Sequence, residues 1–166
     1  TGVQTCALPI FIVCGPHIVI ISVKDIEYRE THDEVGYKRW IKSAIKKSAD
    51  QIWGAERWLE STNSVERSDG RTITLPEQGS RRYHRIAVAL GGRGKVPLQW
   101  GELGHGFVHV CDEYSIDIFF TALDTISDFV EFLEASETII KSGVRLYFAG
   151  GGIEDLIALY ILHGRS

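Results

Sequence analysis

The sequence predicts an α/β fold, with α+β as the alternative, in which helices flank a single mixed sheet. Three observations predict it. Short apolar, β-branched runs at Ile18–Val23, Arg85–Leu90 and Gly106–Cys111 have the length of strands and stop at charged residues or glycines. Between the first two, Tyr37–Leu59 changes to a helical period. The chain has 166 residues, 44 % apolar and 24 % charged, which is one domain of ordinary globular composition. Those values exclude a disordered chain, a collagen-like repeat and a coiled coil.

Each element follows from local pattern. Phe11–Cys14, the turn Gly15-Pro16 and Ile18–Val23 read as a hairpin of buried strands. Ile41, Ala44, Ile45, Ala49, Ile52 and Leu59 form the apolar stripe of a long amphipathic helix, with Gly54 as its weak point. Residues 61–83 are rich in Ser, Asn, Gly and charge, so they form a surface excursion. Arg85–Leu90 is a strand, Gly91–Gly94 a loop and Gly106–Cys111 a further strand. Ile126–Lys141 is a helix, capped by Thr125 or Ser127 and followed by Gly143. Gly150–Gly152 precede a last helix, Ile153–Leu162, whose first turn carries Glu154 and Asp155. No internal repeat or linker divides the chain.

The net charge of −4 gives no bulk attraction for nucleic acid. No apolar run reaches the ~18 residues that span a bilayer, so no membrane partner is expected. Three cysteines, an odd number, argue against a disulfide framework and for a reducing, cytoplasmic compartment. The chain contains no Met. Thr1–Ile10, TGVQTCALPI, resembles one translated frame of a common sequencing adapter over all ten residues. That resemblance implies a non-native segment at 1–10 and a natural domain at 11–166 that is truncated at its N-terminus.

The first site candidate is Ser22-Val23-Lys24-Asp25, where an apolar strand ends in a lysine ahead of a long helix. In metal-dependent phosphodiester cleavage, carboxylates hold Mg²⁺ and a lysine at such a position stabilises charge or places the attacking water. The bland alternative is a strand exit into solvent. The segments IVIISVKDI, KRWIKSAIKKSADQIWGAERWL, HRIAVAL, GFVHVCD, LDTISDFVEFL and IEDLIALYIL together resemble a bacterial family without an assigned activity. That family is similar to the PD-(D/E)XK nuclease-like superfamily, the fold of many restriction endonucleases. The resemblance covers nearly all of residues 11–163. It implies a restriction-endonuclease-like core, Mg²⁺ as cofactor and a catalytic triplet at Ser22-Val23-Lys24. Lys24 matches the triplet and Ser22 replaces its carboxylate. Asp25 is the substitute metal ligand, although its side chain leaves the strand on the other face. The family's first carboxylate falls near position 9, which is Pro9 here. Gln51 or Glu56 is the polar residue that the following helix sends into such a site; the alternatives are a solvated Gln51 and a Glu56 paired with a basic neighbour.

Other constellations are weaker. His105, His109 and Cys111 share strand parity and could bind zinc, yet no fourth ligand is evident and a packed strand is the simpler reading. Cys14 and Cys111 read as small core residues rather than nucleophiles. Gly91-Gly92-Arg93-Gly94-Lys95 fails the phosphate-loop spacing, since Ala89 and Val96 stand where Gly and Ser/Thr are needed. Basic residues gather at Lys38, Arg39, Lys42, Lys46 and Lys47, at Arg81, Arg82, His84 and Arg85, and at Arg93 and Lys95. Converging on Lys24, they would form a nucleic-acid surface on an acidic protein; dispersed, they are a solvated face. Two functions follow: a Mg²⁺-dependent nuclease-like enzyme, inactive in this chain for want of its first carboxylate, or a non-catalytic nuclease-like module binding nucleic acid or a protein.

Overall fold

The computed structural model describes residues 8–29, 34–96, 101–143 and 153–163. Strands β1 (Ile10–Cys14) and β2 (His17–Asp25) form an antiparallel hairpin, with Ile10 opposite Ile21 and Cys14 opposite His17. Gly15 takes φ +56° in its turn, a conformation that costs a residue bearing Cβ. The hairpin departs from expectation in two ways. Ile10, assigned to the non-native segment, is the first paired residue of β1. And β1 is only half-buried, because it is the edge strand of the sheet.

A helical stretch then runs from α1 (Glu34–Ile41) through a π turn (Lys42–Lys46) into α2 (Lys47–Glu60). Gly54 does not interrupt it. The irregularity is at the π turn instead, where the Lys47 N–H donates to the Lys42 carbonyl. Trp40, Ala44, Ile45, Ala49, Ile52, Trp53 and Leu59 are buried along its inner side. The excursion that follows carries a small antiparallel pair, β3 (Ser64–Glu66) with β4 (Thr72–Thr74). Arg81 anchors it: its guanidinium donates to the carbonyls of Leu59, Pro76 and Thr62 at 2.6, 2.7 and 3.0 Å. A cation thereby satisfies the C-terminal end of α2, where helix carbonyls lack partners.

β5 (Arg82–Leu90) pairs parallel with β2 over its whole length, from His17 opposite Arg82 to Asp25 opposite Leu90. A two-residue strand β6 (Gly101–Glu102) pairs antiparallel with β7 (Phe107–Cys111), which runs parallel to β5. The sheet order is β1-β2-β5-β7-β6. Three helices follow: α3 (Glu113–Ala122), α4 (Ile126–Lys141) and α5 (Ile153–His163). Thr125 caps α4, accepting from the Asp128 N–H at 3.0 Å, and Gly143 ends it with φ +72°. Gly150–Gly152 lie outside the described residues, as do Thr1–Ala7.

Both faces of the sheet are covered. On one, Ile18, Ile20, Ala87 and Val108 pack against α2, and Ala89 and Val110 lie with Trp40, Ala44 and Ile45. On the other, Val19, Ile21, Ile86, Val88 and Cys111 share a core with Phe119, Phe132, Leu133, Leu156 and Tyr160 from α3, α4 and α5. Burial on both sides is why β2 and β5 are almost continuously apolar, as parallel strands generally are. The fold is therefore the mixed α/β arrangement expected. Among the described residues, no helix is long and apolar enough to cross a membrane.

Candidate functional site

β2 and β5 set two groups of polar side chains at opposite ends of the sheet. Ser22 and Lys24 leave β2 toward α2, two residues apart on one face. Both are buried, Ser22 completely and Lys24 to within 8 % exposure. A lysine buried to that degree inside a strand is unusual and needs a polar environment. Two residues along the strand, the Ser22 hydroxyl donates to Gln51 Oε1 of α2 at 2.9 Å. The structure thus brings Ser22 and Gln51 into direct contact beside Lys24. Continuing the β1–β2 register by one step past Ile10 and Ile21 sets Pro9 opposite Ser22.

The other residues named from sequence go elsewhere. Asp25 is exposed at the end of β2 and, by strand alternation, faces away from Lys24. Glu56 is engaged by Arg85 in a two-pronged ion pair, Nε to Oε2 and Nη2 to Oε1, both at 2.5 Å, with side-chain exposures of 14 % and 17 %. Arg85 is thus turned inward by its carboxylate. Arg82 leaves β5 on the opposite face and pairs with Glu134 at 3.6 Å. It also lies at the far end of the strand, since the register sets Arg82 beside His17 but Ala89 beside Lys24. Seven steps at ~3.3 Å separate them by about 23 Å. Lys38, Lys42 and Lys46 are exposed along α1 and the π turn, with Lys38 bonded to Glu34 at 2.9 Å. That stretch lies over the Lys24 end of the sheet, because Ala44 and Ile45 pack with Ala89. Two of the three basic groups therefore lie at the Lys24 end: the helical lysines, and the Arg93/Lys95 loop that follows Leu90, where the Tyr37 hydroxyl donates to the Lys95 carbonyl. The group at residues 81–85 does not join them.

The donor pair seen at this corner suits Mg²⁺ poorly: the Ser22 hydroxyl and the Gln51 carboxamide are bonded to each other, whereas Mg²⁺ is held through carboxylates and water.

The glycine-rich loop is used for packing. The Tyr28 N–H donates to the Gly91 carbonyl at 2.8 Å, and a Cβ on Gly92 would meet the Trp40 ring at 3.0 Å and Val96 at 2.5 Å. Arg93 pairs with Glu27. The zinc candidates separate: His105 stacks edge-on against Trp53, on the α2 side, while His109 and Cys111 are buried on the other face. Burial pushes the Cys111 thiol far up, with Asp112 adding to it, so it stays protonated and inert. Burial first, and the neighbouring His84 second, lower His109 to about 3. Its Nε2 is buried without a hydrogen-bond partner.

A different cluster does converge. His17 at the start of β2, His84 on β5 and Glu134 on α4 put one ligand atom each within 4.8 Å of one another. His17 Nδ1 lies 3.0 Å from His84 Nε2 and 3.8 Å from Glu134 Oε1. Burial lowers the His84 pKa, and His17 and Arg85 push the same way against Glu134 and Glu137. Alongside is a cleft of about 450 Å³ walled by Arg82, His84, Glu134, Glu137 and Lys141 among others. Sequence reading missed this cluster because its two histidines are 67 residues apart, and only strand register brings them together. His84 sits in a run of arginines and His17 follows a turn; neither carries a ligand spacing. No family model, curated protein or solved structure matches the chain.

Proposed function

We propose that the chain is a non-catalytic, nuclease-like module that binds nucleic acid through the Lys24 end of its sheet. The observation that carries this reading is the Ser22–Gln51 hydrogen bond beside the buried Lys24. Under the nuclease resemblance Ser22 stands where the triplet has its carboxylate, and its hydroxyl is engaged by a neutral amide. The matching Lys24 supports a phosphate-facing role. A hairpin whose second strand ends at Lys24-Asp25, followed by a long helix, is consistent with the nuclease resemblance and supports the reading. Lys42 and Lys46 are exposed on the π turn above the same corner and supply phosphate contacts on an otherwise acidic chain.

Binding to fluorescent DNA and RNA oligonucleotides, followed by anisotropy across a salt series, tests the reading. The expected result is salt-dependent binding that Lys42→Glu/Lys46→Glu weakens at least tenfold, with the salt slope smaller by about 2. Undetectable binding at low salt, or binding indifferent to those charges, refutes it. A Mg²⁺-dependent enzyme is the second reading, favoured by the burial of Lys24. It requires a carboxylate where Pro9 stands. Mg²⁺-dependent cleavage gained in Pro9→Asp and abolished again when Lys24→Ala is added would establish it in place of the first.

A further inference from the structure

We propose that His17, His84 and Glu134 form a binding site for a first-row divalent transition metal, Zn²⁺ before others. The site is independent of the reading above, at the opposite end of β2 and on the other face of the sheet. Four features argue for it.

The first is spacing. Tetrahedral zinc with bonds of ~2.0–2.2 Å holds its ligand atoms roughly 3.3 Å apart. The observed 3.0 and 3.8 Å separations bracket that value. Second, the two imidazoles face each other nitrogen to nitrogen. Such a pair holds one proton between two bases, and a metal ion replaces it with two bonds. Third, the frame is rigid: His17 and His84 stand on hydrogen-bonded strands, and Glu134 follows Phe132 and Leu133, which are 1 % and 0 % exposed. Fourth, the donor set of two nitrogens and one carboxylate suits zinc-class ions, whereas Mg²⁺ and Ca²⁺ take oxygen ligands.

Three protein ligands leave a coordination position open, as in catalytic rather than structural zinc sites. Here that position opens to the adjoining cleft, where Arg82 and Lys141 favour a water or an anion as the last ligand. Arg82 now shares Glu134 at 3.6 Å. Its side chain is 63 % exposed, so releasing that contact costs little.

Co²⁺ titration followed by visible absorption tests the site, with Zn²⁺ displacement and Mg²⁺ as competitors. The expected result is one Co²⁺ per chain with the intense bands of low-coordinate cobalt, displaced by Zn²⁺ and untouched by Mg²⁺. Glu134→Gln and His17→Gln should each raise the Co²⁺ Kd at least tenfold while leaving circular dichroism unchanged. Glu134 is 41 % exposed and His17 20 %, so neither variant removes a core side chain. No Co²⁺ binding overturns the proposal. So does binding that survives either variant, since the ion is then held elsewhere, as does loss of binding that accompanies unfolding. Failure of this site leaves the nucleic-acid reading intact, because Lys42 and Lys46 do not touch it.

Discussion

Arg85 and Glu56 show how a single contact decides what a residue can do. Gln51 and Glu56 are five positions apart on α2, roughly 140° around the helix. One therefore reaches Ser22 and the other Arg85. From sequence the two are equivalent candidates, because the stripe of α2 predicts which side is buried but not which neighbour each polar group meets. The ion pair is largely desolvated, so removing one partner strands a buried charge. Glu56→Ala is expected to cost about 3–5 kcal/mol in urea unfolding. Replacing both partners with apolar residues, Glu56→Leu with Arg85→Met, should cost less than the single change. A single-variant cost under ~1 kcal/mol would show the pair to be solvated.

At the scale of elements, the apolar runs and the amphipathic stripe were legible, because burial on both sheet faces and on one helix face writes directly into sequence period. The β2, β5, β7 and α4 expectations lie within three residues of the observed ends. α3 was not legible. Its Ile116, Ile118 and Phe120 alternate as in a strand, and only the cap reveals a helix. Asp112 Oδ1 accepts from the Ser115 N–H at 2.8 Å and from its hydroxyl at 2.7 Å. Asp112→Ala is expected to lower stability by about 1 kcal/mol, measured as a drop in Tm, whereas Asp112→Asn should retain most of it. Equal losses for the two would mean that the cap geometry is not what holds α3. β6, two residues long and paired only with β7, has no periodic signal at all.

At the scale of the whole molecule, the buried histidine of β7 couples folding to pH. His109 titrates near 3 in the folded chain and near 6.5 when unfolded. Between those values the unfolded chain binds the extra proton, so stability is highest above about pH 6.5 and falls as pH drops toward 3. At ~1.4 kcal/mol per unit the full loss is on the order of a few kcal/mol. His109→Leu should remove much of that dependence in thermal melts between pH 7 and 4, run with chelator so that His17 and His84 are metal-free. An unchanged pH profile would place the acid sensitivity elsewhere. The candidate sites illustrate the same limit of sequence reading at this scale. The Lys24 corner is local to one strand end and one helix face, so its members were named in advance. The histidine cluster joins two strands and a helix drawn from three distant segments, and it exists only once the register of β2 on β5 is set.

The π turn has a consequence for the geometry of the corner. Each residue added to a helix advances everything beyond it by about 100°, and a π turn is one residue absorbed without breaking the helix. Trp40 and Gln51 are thus set on their bearings by the widened turn between them: Trp40 donates to the Ile26 carbonyl at 2.7 Å, while Gln51 meets Ser22. Were those five residues wound as a regular helix with one fewer, Trp40 could keep its seat only by swinging the carboxamide off Ser22. The extra residue acts as an angular spacer, letting one continuous rod aim an anchor and a polar group in directions that an unbroken 3.6-residue winding would not combine.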